Sequence, residues 1–212
     1  GFLLLSGATY KKGNSIIFKI NEEMEVMDEY MTVGKTFKGD KSLRKAFRSF
    51  FATWNALACD QSYVYMGMKT SNTILYCIDL LNRKVNFKIT SEYTKSKGFK
   101  KTRAGRGFEL VAFYNINDVC ITNNYIIIME ELGGSSKDIE KNKLPKNYYN
   151  NISFYTKEGN YLFSFEDRSI PYSYFGFNSA VEEIDTGFYI YIVSLDESCF
   201  YKYKVDFINE QK

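Results

Sequence analysis

The feature that most constrains this chain is a repeat of about 62 residues. Four short apolar runs start 61, 62 and 63 residues apart, at residues 2, 63, 125 and 188. Another strand-like segment follows each run. Three of the runs are preceded by a polar turn and an earlier short run, and three of the repeat units end with one further strand-like segment. Short antiparallel strands that recur in groups of four, without long helices between them, are typical of β-propeller blades. The repeat therefore predicts an all-β fold, a β-propeller of four-stranded antiparallel blades.

The predicted blade units span approximately residues 1–30, 54–90, 113–167 and 177–207, within a single propeller domain or segment that covers 1–212. Counted from the hub outward, the first unit lacks its innermost strand and the last lacks its outermost strand. Because propellers have about 4–8 blades, we expect these units to belong to a six-bladed ring of which the chain is a part. Two alternatives stay open: a four-bladed ring whose ends close on each other, and a β-sandwich or other meander.

The net charge of +3 conceals two strongly basic segments. Residues 35–48 and 95–106 together hold twelve of the 28 Lys and Arg residues and one of the 25 acidic residues, so the remaining chain carries −8. Both segments lie in long connections between the outermost strand of one unit and the innermost strand of the next. In a propeller all such connections leave the same face, and loops of about 20 residues in compact domains are usually functional or disordered. A site is therefore expected on that face.

The residue types limit the chemistry. The chain has no histidine, which excludes a Ser-His-Asp or Cys-His nucleophile pair, a His-ligated metal and imidazole acid–base catalysis. The four cysteines fit no metal-binding or Cys-x-x-Cys spacing and are expected to be free, buried thiols. No catalytic residue, metal or cofactor is predicted.

Carboxylates occur in adjacent pairs, and neighbours along a strand point to opposite faces, so these pairs do not indicate a glycosidase site. We expect most of them to be solvated; the pairs are Glu22/Glu23, Glu130/Glu131, Glu166/Asp167, Glu182/Glu183 and Asp196/Glu197. The fourth pair lies on an innermost strand, from which one carboxylate could reach a central channel.

Three aromatic residues and two arginines are candidate ligand contacts. Trp54, the only tryptophan, and Tyr172 and Tyr174 either pack in the core or form a stacking platform at the ring mouth. The basic segment 95–106, with Arg103 and Arg106, is either a solvated mobile loop or a contact for an anionic ligand such as phosphate or a sulfated glycan.

Two blade phrases, DQSYVY at 60–65 and ILYCIDL at 74–80, resemble the TolB-like six-bladed β-propeller proteins. The segment GRGFEL at 105–110, which contains Arg106 and Glu109, is similar to the Gly-Arg-Gly-Pro-Gly-Glu phrase of that family but lacks its Pro-Gly step. The resemblance implies exported lipoproteins of gut anaerobic Gram-negative bacteria. It also implies a periplasmic or outer-membrane-anchored location, with a lipid anchor outside this chain, and a binding role. It supplies no catalytic residues.

The sequence thus predicts an exported, non-catalytic binding module whose ligand is a glycan, an anionic molecule or a protein partner. The candidate ligand-binding residues are Trp54, Arg103, Arg106, Glu109, Tyr172 and Tyr174. A polysaccharide hydrolase or lyase and a structural scaffold without a small ligand are the alternatives. Nucleic acid is not expected as a partner because the body of the chain is acidic, and apolar runs of about five residues are too short to span a membrane.

Overall fold

The computed structural model describes residues 3–6, 15–32, 56–67, 73–90, 99–101, 108–110, 114–132, 149–167, 178–194 and 198–207. Within these residues there are sixteen β-strands and no helix. The strands are β1 (Leu3–Ser6), β2 (Ser15–Ile20), β3 (Val26–Thr32), β4 (Leu57–Cys59), β5 (Tyr63–Gly67), β6 (Thr73–Asp79), β7 (Lys84–Thr90), β8 (Phe99–Lys101), β9 (Phe108–Leu110), β10 (Tyr114–Ile121), β11 (Tyr125–Leu132), β12 (Tyr149–Thr156), β13 (Tyr161–Asp167), β14 (Asn178–Ile184), β15 (Gly187–Ser194) and β16 (Cys199–Asp206). The all-β prediction is confirmed.

The strands form antiparallel meanders in which neighbours in sequence are neighbours in the sheet. We call β1–β3 sheet 1, β4–β7 sheet 2, β10–β13 sheet 3 and β14–β16 sheet 4, and β8 pairs with β9 in a separate hairpin. The four sheets have three, four, four and three strands, which is the grouping that the repeat predicts.

Three of the four apolar runs of the repeat lie in strands that have a partner on each edge, namely β5, β11 and β15, and the first run lies in β1. In β11, residues 126–129 are all buried, because the strand has a partner on each edge and a sheet against each face. In β16 exposure alternates residue by residue, the pattern of a strand with one face against the core. The run of β11 is therefore covered on both faces, whereas the run of β15 is fully buried only on the side of Phe188, Ile190 and Ile192.

Sheet 3 lies between its two neighbours in sequence. One apolar cluster joins sheet 2 to sheet 3 and includes Tyr65, Ile126 and Ile128, while another joins sheet 3 to sheet 4 and includes Ile127 and Phe188. Ile126 and Ile127 are adjacent in β11 and point to opposite faces, so alternate side chains of this one strand pack against two different sheets.

Short turns close one end of the sheets. Side chains fix these turns: the Asp60 carboxylate accepts hydrogen bonds from the N–H groups of Ser62 and Tyr63, and the Thr122 hydroxyl accepts one from the N–H of Tyr125. Gly159, with φ +86°, adopts a left-handed conformation that favours glycine. We call this end the short-turn end.

The long connections leave from the opposite end, which we call the long-connection end. In sheet 3 the pairs Tyr114↔Leu132 and Leu132↔Tyr149 are the last ones before the connections. A hydrogen bond from Lys157 to Asp60 joins a short turn of sheet 3 to one of sheet 2, so the same ends of both sheets lie side by side. This arrangement agrees with the expectation that the long connections leave one face.

Three residues of the basic segment 95–106, residues 99–101, lie within the described part of the chain. Residues 99–101 form β8 and pair with β9, through the pairs Phe99↔Leu110, Lys100↔Glu109 and Lys101↔Phe108. The segment therefore includes one strand of a β-hairpin, even though its high charge gives no apolar alternation.

Candidate functional site

Most of the predicted ligand contacts lie outside the described residues: Trp54, Arg103, Arg106, Tyr172 and Tyr174. Glu109 lies in β9, where its Cα is paired with that of Lys100. The described part of the chain provides instead a buried polar cluster that the sequence did not indicate.

Glu130, Asn151 and Ser153 form this cluster, which we call the carboxylate cluster. The Asn151 amide Nδ2 donates to Glu130 Oε2 at 2.6 Å, and the Ser153 hydroxyl donates to the same oxygen at 2.9 Å. Asn151 Nδ2 also lies 3.0 Å from Ser153 Oγ. Only 1% of Glu130 and 2% of Ser153 are exposed to solvent, so the cluster is an internal carboxylate held by two neutral donors.

The register of sheet 3 creates the carboxylate cluster. Glu130 of β11 is directly opposite Asn151 of β12, and Ser153 follows two residues later on the same face of β12. Tyr155 continues this row and packs in the cluster shared with sheet 2. Burial raises the pKa of its hydroxyl well above the usual value, and the nearby charge of Glu130 raises it further.

The carboxylate cluster lies just inside the long-connection end, since the Leu132↔Tyr149 pair at the end of the ladder is two residues beyond the Glu130↔Asn151 pair. The expectation that the Glu130/Glu131 pair is solvated is wrong for Glu130. The sequence holds only a partial signal: Glu130 directly follows the apolar run 125–129, but the sheet that covers its side of β11 is seen only in the structure. A carboxylate at such a position must be buried with hydrogen-bond donors.

Chemically, this arrangement holds a carboxylate in place and does not activate a nucleophile. Ser153 donates its hydroxyl proton to Glu130, but with 2% exposure its oxygen is closed to a substrate in this structure. Asn151 has no titratable group with which to move a proton. The carboxylate cluster can fix the conformation and the charge of sheet 3 at its long-connection end.

A second polar cluster, which we call the ion-pair cluster, lies between sheets 2 and 3 at the short-turn end. Lys157 Nζ is 2.9 Å from Asp60 Oδ2, and the Tyr65 hydroxyl donates to the same oxygen at 2.9 Å. Burial alone would raise the pKa of Asp60, but the hydrogen bonds from Lys157 and from the N–H groups of Ser62 and Tyr63 outweigh it and lower the pKa to about 2. The ion-pair cluster therefore stays charged and fastens one sheet to the next.

Two of the thiols, those of Cys77 and Cys120, are poor nucleophiles. Burial, with a further contribution from the charge of Asp60, raises the pKa of Cys77 to about 12, and burial raises that of Cys120 to about 11. Since the thiolate is the reactive form, both are protonated near neutral pH. All four cysteines are free, but Cys59 is exposed, which contradicts the expectation that all are buried.

The paired carboxylates of β14 have separate partners. Glu182 accepts a hydrogen bond from the Tyr191 hydroxyl at 2.8 Å, and Glu183 accepts one from the Asn124 amide at 2.7 Å. These partners lie on opposite faces of sheet 4, so the two carboxylates do not face each other across a cleft.

The described residues thus define an all-β protein of stacked antiparallel sheets with one internal carboxylate cluster. Among them, no three Cys, Asp or Glu side chains are placed to hold a metal ion. Nor do the described residues include a helix of the length and apolar character needed to cross a membrane. No protein-family model matches the chain, and no curated protein sequence matches it significantly.

Proposed function

We propose that this protein is a non-catalytic binding module whose sheets are propeller blades, and that its ligand or partner binds at the long-connection end. The observation that best supports this proposal is the carboxylate cluster. Glu130, Asn151 and Ser153 all belong to sheet 3, so the cluster fastens no two sheets together. Buried polar groups cost stability unless they are fully hydrogen-bonded, and a recognition role at this end gives a reason for retaining them.

The packing supports a propeller over a β-sandwich. A sandwich consists of two packed sheets, whereas sheet 3 has a sheet against each face. The first strands of sheets 3 and 4 are also linked directly, because Asp118 Oδ2 accepts hydrogen bonds of 2.8 Å from both the N–H and the hydroxyl of Ser179. First strands that lie side by side are what the hub of a propeller requires.

The basic segments support a polar or anionic ligand. Residues 35–48 and 95–106 belong to the connections that leave the long-connection end, and together they carry a charge of +11. A sulfated or otherwise acidic glycan has the matching charge and many hydroxyl groups for hydrogen bonding. The resemblance to TolB-like lipoproteins supports an exported protein of the cell envelope.

The test combines binding and turnover. The purified 212-residue chain is applied to an array of neutral and sulfated glycans, and each glycan that binds is then incubated with the protein and examined for new reducing ends or unsaturated products. Binding of acidic glycans without turnover is expected. Turnover would overturn the proposal in favour of a hydrolase or lyase, and binding of neither glycans nor proteins would favour a scaffold.

Matched variants at the two ends locate the site. Arg103→Ala combined with Arg106→Ala is expected to weaken binding about tenfold or more, because two cations are lost. Lys157→Met removes one cation at the short-turn end and is expected to leave binding within about twofold. Equal losses in both variants would contradict a site at the long-connection end.

A further inference from the structure

One face of sheet 3 carries polar side chains beyond the carboxylate cluster. The register sets Glu166 of β13 beside Asn151, and Ser164 of β13 beside Ser153. Paired residues of neighbouring strands point to the same face, so Glu166 and Ser164 lie on the face that contains Glu130. These two residues of β13 are exposed, whereas the carboxylate cluster is buried. The polar groups of this face therefore extend from the interior of the protein to its surface.

A bulge in β13 brings Tyr161 to the same face. Tyr161 is paired with Tyr155, and Leu162 is the extra residue of the bulge. Tyr155 packs in the apolar cluster shared with sheet 2, and its ring meets that of Tyr161 at an angle of 73°, with centroids 5.7 Å apart. Without the bulge, Tyr161 and Ser164 would point to opposite faces, because they are three residues apart. We call Tyr161, Ser164 and Glu166 the rim strip.

The ring of Tyr161 is both exposed and held in place. It is 58% exposed, and its hydroxyl lies 3.0 Å from the hydroxyl of Ser164. Because Ser164 is three residues further along β13, the ring lies along the strand. The two hydroxyls have two protons and use one of them in the bond that joins them, so the other can be donated to a ligand. A ring that is ordered in advance loses little conformational entropy on binding.

Sheet 2 contacts sheet 3 next to the rim strip. Phe87 of β7 packs, half-buried, against the apolar cluster between the two sheets. A Cβ on Gly159 would lie 2.6 Å from the Phe87 ring, so the turn that precedes β13 packs directly on β7. Tyr161 follows Gly159 by two residues. The contact between the sheets therefore fixes the position of the rim strip at the short-turn end, while Ser164 and Glu166 stay accessible further along β13.

The residue types of the rim strip match a neutral sugar. A tyrosine ring offers a flat apolar surface to the C–H groups of a sugar, and a carboxylate has acceptor positions for several hydroxyl groups. The charged groups of the rim strip and of the carboxylate cluster, Glu166 and Glu130, are both acidic, so a sulfated or carboxylated sugar would be repelled. From Tyr161 to Glu166 the strip extends over about 15 Å, which suits a short oligosaccharide.

We propose that the rim strip binds a short neutral oligosaccharide along β13. One sugar ring packs on Tyr161, and the hydroxyl groups of the following units bind to Ser164 and Glu166. The carboxylate cluster supports the site from inside the sheet, because Asn151 and Ser153 belong to the strand that pairs with Glu166 and Ser164. This site is separate from the proposed one at the long-connection end, since it uses none of the basic residues and takes an uncharged ligand.

Isothermal titration calorimetry of the 212-residue chain tests the proposal. The probes are neutral tetrasaccharides, namely cellotetraose, maltotetraose, mannotetraose and xylotetraose. At least one of them is expected to bind with a dissociation constant of about 0.1–1 mM, because an exposed site with one stacked ring and a few hydrogen bonds gives weak affinity. The proposal is overturned if none of the four binds at about 5 mM, or if tetralysine binds and the sugars do not.

Aromatic variants test the stacking contact. Tyr161→Ala removes the ring and is expected to weaken binding about tenfold or more, whereas Tyr161→Phe keeps the ring and should stay within about threefold. The matched control is Phe200→Ala, which removes a ring of similar exposure, 61%, from sheet 4 and should leave binding within about twofold. Equal losses in Tyr161→Ala and Phe200→Ala would contradict a site on the rim strip.

Charge variants separate the rim strip from the long-connection end. Glu166→Gln keeps the size of the side chain but removes its charge, and it is expected to weaken binding of the neutral sugar about threefold to tenfold. Arg103→Ala combined with Arg106→Ala should leave this binding within about twofold. Thermal unfolding of each variant shows whether the fold is intact. Loss of neutral-sugar binding in the double arginine variant, or unchanged binding in Glu166→Gln, would overturn the proposal.

Discussion

The interface between sheets 2 and 3 contains two polar clusters, one at each end, and they are built differently. The ion-pair cluster takes Asp60 and Tyr65 from sheet 2 and Lys157 from sheet 3, so its hydrogen bonds cross the interface. The carboxylate cluster takes all of its members from sheet 3 and lies within that sheet. The ion-pair cluster joins two sheets, whereas the carboxylate cluster joins two strands of one sheet.

The two clusters also differ in their access to water. The side chains of Asp60 and Lys157 are 31% and 22% exposed, so solvent lowers both the cost of burying the charges and the strength of their attraction. Glu130 is inaccessible, and the two hydrogen bonds to its Oε2 offset part of the cost of burying the carboxylate. A partly solvated ion pair thus suits a structural contact between sheets, while a fully buried carboxylate within one sheet suggests a functional role.

The largest effect is expected when the acceptor of the carboxylate cluster is removed. Glu130→Leu leaves the buried donors of Asn151 and Ser153 without their acceptor and should lower the free energy of unfolding by about 2–3 kcal/mol, measured by urea denaturation. The all-apolar triple variant, with Asn151→Leu and Ser153→Ala added, should recover most of this loss. If the Glu130→Leu variant were as stable as the original chain, the stability of Asn151 and Ser153 at their buried positions would not depend on the Glu130 carboxylate.

A smaller effect is expected at Gly67, on the apolar part of the same interface. A Cβ at this position would lie 2.8 Å from Ile116 Cγ2 and 3.2 Å from the Cβ of Ala56. Gly67→Ala should therefore cost about 1–3 kcal/mol of stability by overpacking, measured in the same way. Adding Ile116→Leu, which removes the Cγ2 branch, should recover part of the loss. An unchanged urea midpoint for Gly67→Ala would mean that sheets 2 and 3 can move apart at this position with little loss of stability.

A weaker effect is expected at the ion-pair cluster. Lys157→Met removes a partly exposed partner of Asp60 and should lower the free energy of unfolding by about 1 kcal/mol. Lys88→Met, at an exposed position of β7, is the matched control and should change it by less than about 0.5 kcal/mol. Equal effects from the two variants would contradict a fastening role for Lys157.

The smallest effect is the response to acid. Because the pKa of Asp60 is about 2 in the folded chain, below its ordinary value of 3.8, its ionised form stabilises the fold fully above pH 3.8. This contribution, about 1 kcal/mol after allowance for solvent exposure, should disappear as the pH falls toward 2. Urea midpoints at several pH values measure it, and Asp60→Asn should show a correspondingly shallower acid dependence. An identical dependence in both chains would assign the acid sensitivity to other carboxylates.

The strand order of sheets 1 to 4 was predictable from the sequence because its signals are local. Apolar alternation and short polar turns, such as the one at residues 60–62, determine strands and their connections without reference to distant residues. The β8–β9 hairpin was not predictable in this way. Its first strand has only three residues, of which Lys100 and Lys101 are charged, so it shows no alternation.

The carboxylate cluster was missed for a different reason. The burial of Glu130 depends on the strands on both of its sides and on the sheet that covers its face, and these come from distant parts of the chain. The partial exposure of Tyr189 and Tyr191 was missed for a related reason. In the repeat, these residues count as apolar anchors like Ile127 and Met129, and only the packing of the sheets shows that they point away from sheet 3.

Side chains close the turns at the short-turn end, and this affects where the length of the chain can vary. Asp60, Thr122 and Thr156 each fix the register of one strand pair from that end, namely β4–β5, β10–β11 and β12–β13, and a one-residue slip would turn every side chain of a strand to the wrong face. Because these three registers do not depend on the opposite end, segments inserted there can vary in length without disturbing these pairs. The sheets therefore provide a frame on which new surface loops can be exchanged during evolution or by engineering.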